Sequence, residues 1–276
     1  MTRFRNATLP ELAQVLDWAA DEGWNPGLDD AGAFWGADPD GFFVAVDEKD
    51  TPIASISVVN HTTDFAFLGL YIVRSDFRGQ GIGLRLWTHA LKHAGDRTVG
   101  LDGVPEQQEN YRTSGFQHVG ATTRFLGQVR GHDHPSIRVA VSRDIPDLIR
   151  MEGTGSGVEK PAYLQNWLVG TATRTTLVFG DQGIVRGFCT LRACQTGRKV
   201  GPLVAEDANV ARHLISQAAA MSNGPLILDV PETATDLTEL CLRLGLEAGF
   251  KTARMYRGPF STPRYKTFAV SSLELG

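Results

Sequence analysis

Three glycines spaced two apart, Gly79, Gly81 and Gly83, follow the apolar run LYIV and open the amphipathic stretch IGLRLWTHALKHA. Glycine lets the backbone turn tightly or left-handed, and lets a ligand lie against it. The first amides of a helix lack an internal partner, so a phosphate or diphosphate there gains hydrogen bonds and a favourable dipole. Arg78 adds positive charge beside that nest. By residue type alone two readings stand, a ligand-free strand-to-helix turn and a phosphate cradle. The letters exclude two familiar glycine loops. No Lys-Ser or Lys-Thr follows, as a nucleotide-triphosphate loop requires, and Leu86 stands where a dinucleotide fingerprint needs its third glycine.

Metal chemistry finds little footing. His132 and His134 lie in a polar stretch without a third ligand, and His89 and His93 flank Ala-Leu-Lys, which supplies no metalloprotease glutamate. Both pairs read as solvated, and no metal is expected.

The elements that must position the glycine turn can be read from periodicity. FRNA reads as a short strand, and LPELAQVLDWAADEG as a helix burying Leu12, Val15, Leu16 and Ala19. FFVAVDEKDTPIASISVV gives two strands around a polar turn, and DFAFLGLYIV a third. The helix after the glycines turns Ile82, Leu86, Ala90, Leu91 and Ala94 to a core. TVGLDGV, ENYRTS and ATTRFLGQV then read as strand, short helix and strand.

The same order begins again after the polar residues 130 to 136. SIRVAVSRDIPDLIRM parallels the opening strand and helix, and TLVFGDQGIVRGFCTLR the two-strand unit. Leu101-Asp102-Gly103-Val104-Pro105-Glu106 is echoed by Leu228-Asp229-Val230-Pro231-Glu232, while Gly115 and Arg124 recur 130 residues on as Gly245 and Arg254. Two copies of one α/β domain are expected, residues 1–129 and 137–276, with 130–136 as linker.

At 276 residues the chain has room for two ordinary domains. With 42% hydrophobic and 21% charged residues and a formal net charge of −4, it offers no basic face for nucleic acid and no membrane-spanning run. Three cysteines, Cys189, Cys194 and Cys241, make no disulfide framework, and a reducing cytoplasm is the simplest expectation. Oligomeric state is not legible.

The run Arg78-Gly79-Gln80-Gly81-Ile82-Gly83 resembles the Q/R-x-x-G-x-G/A motif of the GNAT acyltransferase superfamily, and LYIVRSDF and ENYRTSGF resemble two further regions of that family. The likeness covers residues 1 to 128. It implies two tandem GNAT-like folds, each a mixed, mostly antiparallel sheet flanked by helices, and acetyl-CoA as co-substrate. It also implies that residues 78 to 83 hold the diphosphate and that Tyr71, Ile72 and Val73 pair with the pantetheine arm. An amide at Ile72 would face the thioester carbonyl, Tyr111 would protonate the leaving thiolate, and Asn110 would cap the helix or touch the coenzyme. The reaction needs a neutral amine, so Asp102 and Glu22 are candidates for the base. Glu22, Trp24, Asn25 and Asp102 are candidates for holding the acceptor.

The second copy departs from the motif. Its strand-loop-helix segment carries only Gly201-Pro202, then Glu206 and Asp207, and Cys241 stands at the register of Tyr111. A degenerate second domain that does not bind coenzyme A productively is expected, walling off the acceptor pocket or continuing a sheet. The leading expectation is an N-acetyltransferase acting on a small amine. The alternatives are an enzyme acetylating protein or peptide amines and a non-catalytic acyl-CoA-binding regulator.

Overall fold

The computed structural model describes residues 2–181, 184–260 and 267–276. The first half runs β1 (Arg3–Asn6), α1 (Leu9–Asp21), α2 (Asp30–Ala37), β2 (Phe42–Val46), β3 (Pro52–Asn60), β4 (Phe65–Val73), α3 (Ile82–Ala90), β5 (Thr98–Gly103), α4 (Gln108–Thr113) and β6 (Gln117–Gly127). The second half repeats it: β7 (Ile137–Val139), α5 (Ile145–Ser156), α6 (Pro161–Trp167), β8 (Arg174–Asp181), β9 (Ile184–Ala193), β10 (Arg198–Ala205), α7 (Ala208–Ala220), β11 (Leu226–Pro231), α8 (Thr235–Arg243) and β12 (Glu247–Arg257). A short β13 (Phe268–Ala269) follows. The polar turn expected between β8 and β9, at Gln182 and Gly183, lies outside the described residues.

Local chemistry explains the elements around the site. Thr8 and Glu11 form a reciprocal capping box that starts α1, and Leu12, Val15, Leu16 and Ala19 bury one stripe of it. The helix stops at Gly23, whose φ of 80° suits glycine. In β2 every residue is buried, because Phe42, Val44 and Val46 enter one core while Phe43 and Ala45 enter the other. The sheet is thus covered on both faces. The helices α2 and α6, which the periodicity did not reveal, pack on each other through Phe34 stacked 5.8 Å from Trp167.

The strands form one sheet in the order β1-β2-β3-β4-β5-β12-β6-β11-β10-β9-β8-β7, with β13 on β10. The order is symmetric about the β12–β6 pair. The halves exchange their last strands, β12 pairing with β5 and β6 with β11. The second half thus continues the sheet of the first, one of the two roles expected for it. The strand exchange was not foreseen, because period-2 alternation fixes which face a strand buries and not which neighbour it takes.

Ion pairs lock the exchange. Arg124 on β6 grips Asp229 on β11 at 2.7 and 2.9 Å, and Arg254 on β12 grips Asp102 on β5 at 3.0 and 2.7 Å. A third link joins α2 to the second half, where Asp30, fully buried, meets Arg174 at 3.0 Å and also pairs with Arg192. Residues 130 to 136 are not free in solvent: His132 N–H donates to the Ser216 carbonyl, and His134 stacks 4.2 Å from His213. His93 is likewise held, 2.8 Å from Asp38, whereas the His132 side chain is exposed as expected.

Candidate active site

Strands β4 and β5 run parallel from Phe65 and Thr98 to Leu68 and Leu101, then part. The parting coincides with a bulge in β4, where the register to β3 shifts between Ser57–Gly69 and Ser55–Ile72 and Leu70 takes a φ of 47°. The Ser55 hydroxyl donates to the Leu70 carbonyl at 2.7 Å and steadies it. Beyond the bulge the edge of β4 is open. Arg74 N–H donates to the Ile53 carbonyl, so by strand alternation the Ile72 amide also points at β3, while the amides of Tyr71 and Val73 face the gap. The Ile72 amide, expected to meet the thioester, therefore turns to β3, and those of Tyr71 and Val73 face the gap instead.

The glycine turn follows. Gly79 and Gly81 have φ of 75° and 71°, and a β-carbon on either would meet nothing within 4 Å. Both are needed for conformation, and both leave space for a ligand. Gly83 serves packing, since a β-carbon there would fall 2.5 Å from the Tyr71 hydroxyl. Arg78 donates to the Val73 carbonyl at 2.8 Å and pairs with Glu22. Gln80 turns back to the Asp76 carbonyl.

One groove gathers Glu22, Trp24, Tyr71, Ile72, Val73, Arg78, Gly79, Gly81, Ile82 and Gly83, with Gln107 added by α4's approach. Next to the groove Tyr111 is buried and stacks on Trp87 at 5.5 Å, while the same Trp87 meets the groove residue Tyr71 edge-on at 5.4 Å. Gly103 makes room, as a β-carbon there would lie 2.8 Å from the Tyr111 ring. Burial, with Tyr71 nearby, pushes the Tyr111 phenol well above its ordinary value, so it stays protonated throughout the neutral range. Asn110 lies beside it, hydrogen-bonded to Gln107 at 2.8 Å.

Behind the groove lies a smaller cavity, about 60 Å³ against about 480 Å³, lined by Trp24, Tyr71, Asp102, Tyr111, Phe250, Thr252, Leu273 and Glu274. It is here that the structure corrects the acidic assignments. The Asp102 carboxylate has no exposed surface and is committed to Arg254; burial pushes it up and Arg254 pulls it back. It cannot reach an amine without abandoning its partner. Glu22 lines the larger groove, paired with Arg78. Asn25 leaves the site, its amide exchanging hydrogen bonds with Thr196 at 2.8 and 3.2 Å. Trp24 stays, lining groove and cavity alike, with its carbonyl held by Arg124 and Lys199 at 3.0 Å each.

Four wall residues, Phe250, Thr252, Leu273 and Glu274, come from the second half. The repeat hinted at Phe250 and Thr252 alone, because the echo of Arg124 in Arg254 marks β12 as a strand equivalent to β6, whereas nothing in the sequence pointed to Leu273 and Glu274.

The second half closes its own version of the groove. Gly201-Pro202 lies within β10, not in the turn where the sequence suggested it, and the register to β9 shifts there as β4's does at Gly69. The turn proper is Glu206-Asp207. Asp207 caps α7 by accepting from Asn209 and Val210 amides at 2.9 and 2.8 Å, which occupies the donors a diphosphate would use. β13 covers the edge of β10, and Val270 N–H donates to the Asp229 carbonyl of β11. Cys241 does occupy the register of Tyr111: Leu246 N–H donates to the Cys241 carbonyl as Phe116 N–H does to that of Tyr111, each at 3.0 Å. Burial raises the Cys241 thiol to about 12, so it is inert. Among the described residues no cluster suited to a metal ion occurs, and no helix is long and apolar enough to cross a membrane.

Comparison with known proteins agrees with this architecture. Residues 9–116 match the acetyltransferase (GNAT) family model, and residues 148–269 match a second acetyltransferase (GNAT) domain model. The chain is 34% identical over 277 aligned residues to holothin acyltransferase of a Pseudoalteromonas species, covering 98% of this chain and 93% of that protein. A solved chain from Pyrococcus horikoshii assigned to the acetyltransferases superposes with a TM-score of 0.83 at 18% identity, covering 100% and 96% of the two chains. A tandem GNAT protein from the clavulanic acid biosynthesis pathway superposes at 0.62 with 14% identity, covering 95% and 100%.

Proposed function

The chain belongs to the GNAT acyltransferase family, and from that premise we propose that it moves the acetyl group of acetyl-CoA onto a primary amine of a small molecule. The donor lies in the groove of the first half and the amine attacks directly, with donor and acceptor bound together. One observation carries the reading: the groove with the open β4 edge and the empty left-handed glycines shares Trp24 and Tyr71 with a smaller cavity that Tyr111 lines.

The residues present fit coenzyme A. Main-chain groups of Tyr71 and Val73 can take an extended amide arm as an added strand would be taken. The Gly79–Gly83 amides and the first turn of α3 suit a diphosphate, and Arg78 adds charge once Glu22 releases it. At the far end, outward amides of β4 can stabilise an oxyanion, and Tyr111 can protonate the departing thiolate. The relative's name supports a small-molecule acceptor, as does a cavity walled by the second half, where a peptide acceptor would need an open groove.

The test is transfer. Incubated with acetyl-CoA, the protein should release free thiol with a panel of spermidine, L-lysine, glucosamine and holothin, at a rate above coenzyme hydrolysis for at least one of them. Binding without transfer to any would favour a regulatory acyl-CoA-binding protein.

A further inference from the structure

Residues 267–276 do two things at once. Their first part fills the second half's gap between β10 and β11, and Val270 runs so close over Gly201 that a β-carbon there would lie 2.3 Å from its carbonyl oxygen. Their second part reaches the first half, where Glu274 crosses Gly69 just as closely, at 2.1 Å. Four residues span at most about 14 Å. Five flat strand spacings from β10 to β4 would be about 24 Å, so the sheet curls and the two gaps approach each other. His61 and Lys160 fasten the segment, donating to the Leu275 and Gly276 carbonyls at 2.8 and 2.7 Å.

Glu274 is 3% exposed and lines the cavity behind the donor groove with Tyr71 and Tyr111. Among the described residues its carboxylate has no hydrogen bond or ion pair, although Arg124, Lys199 and Arg192 act on it through charge. These cations are engaged elsewhere, Arg124 and Lys199 with Asp229 and Arg192 with Asp30. The residue is thus nearly covered by protein and lines the cavity, with no side-chain partner of its own to be displaced by an occupant. Asp102 and Glu22 are both taken, and Glu106 lines the groove but not this cavity.

Resting on the acetyl-transfer reading above, we propose that Glu274 binds the acceptor's ammonium group in this cavity and takes its proton. The neutral nitrogen then forms the C–N bond to the thioester carbon. The C–S bond breaks, the thiolate receives a proton through Tyr111, and the second proton leaving nitrogen restores Tyr111. The proton on Glu274 goes to solvent, so the net reaction releases one proton. The segment that closes the unused donor site thereby supplies the base to the used one.

The experiment compares wild type with Glu274→Gln, which keeps shape and removes charge, on whichever panel amine the wild type acetylates. Because a positioned base contributes roughly 10²–10⁴-fold, kcat/KM for the amine should fall about 10²-fold or more at neutral pH. Acetyl-CoA affinity by calorimetry should not change. The loss should shrink as pH rises towards the acceptor's own pKa, a signature that loss of packing would not produce. Gly69→Ala, which displaces the Glu274 backbone, should lower amine turnover in the same direction if the first variant is poorly folded. Wild-type kcat/KM and pH profile in Glu274→Gln would overturn the assignment and leave acetyl transfer intact. A wild type that binds acetyl-CoA and acetylates nothing would overturn both.

Discussion

Gly81→Val is expected to abolish coenzyme binding while leaving the fold intact. Gly81 holds a φ of 71° at the start of α3, a conformation a β-branched residue reaches only with strain. Around it there is space, so the side chain meets no core and the penalty stays within the turn. The loop must then either strain or rotate, and rotation turns the cradle's amides away from a diphosphate. Affinity for acetyl-CoA should drop by roughly 10²-fold or beyond, since one to three strained kcal/mol add to several lost hydrogen bonds. Calorimetric titration and a thermal melt separate the effects. A melt unchanged within a few degrees with affinity retained would show that the turn is scaffold only.

The second large effect concerns stability. Asp229 is buried between Arg124, bidentate at 2.7 and 2.9 Å, and Lys199 at 4.0 Å, and these neighbours hold its carboxyl below the ordinary range against the cost of burial. Asp229→Ala leaves two buried cations uncompensated at the junction of the exchanged strands. Breaking such a pair typically costs about 3–5 kcal/mol, which for a chain of this size lowers Tm by roughly 10 °C. Differential scanning calorimetry reads this directly. A loss below about 1 kcal/mol would mean that the strand exchange does not depend on the pair.

A smaller effect follows from the same segment that carries Glu274. Burial, with Lys160 adding repulsion, lowers His61 to about 3, so the fold keeps the ring neutral with its Nε2–H on Leu275. The folded value lies below the ordinary 6.5, so this contribution to stability is complete above pH 6.5 and is lost as pH falls from there towards 3. His61→Gln preserves an N–H donor without a titrating ring and should show a shallower fall in Tm over that range. Parallel slopes for the two proteins would remove His61 as the cause.

The sequence carried the chemistry of the donor site more clearly than that of the acceptor site, for a physical reason. A diphosphate cradle is local: the glycines, Arg78, the strand before and the helix after lie within a few residues, and their types are dictated by backbone conformation. Tyr111 was singled out by the resemblance of ENYRTSGF, a local run just after β5. The acceptor cavity is instead assembled from β12 and residues 273–274, more than 130 positions from the groove, and no local pattern announces such a meeting. Asp102 illustrates the difficulty. Its place at the end of an apolar strand suggested a free carboxylate, and the echo of Asp102 in Asp229 and of Arg124 in Arg254 already contained its partner. Each aspartate is answered by the other half's arginine, which becomes intelligible only once the last strands are seen to exchange. Asn25 misled for a related cause, since a polar residue beside a Pro-Gly turn serves a distant hairpin as readily as a ligand. The degeneracy of the second half was legible in Glu206 and Asp207, whereas its plug was not, because residues 267–276 have no counterpart in the first copy.

On this reading the chain has one working donor site, in its first half, and a second closed by Asp207 and by residues 268–270. Counting acetyl-CoA sites per chain by isothermal titration calorimetry tests it most directly. One site, absent from the Gly81→Val protein, is the predicted result. Two sites, or a single site that survives in Gly81→Val, would contradict it, and no binding at all would remove the donor groove from the account.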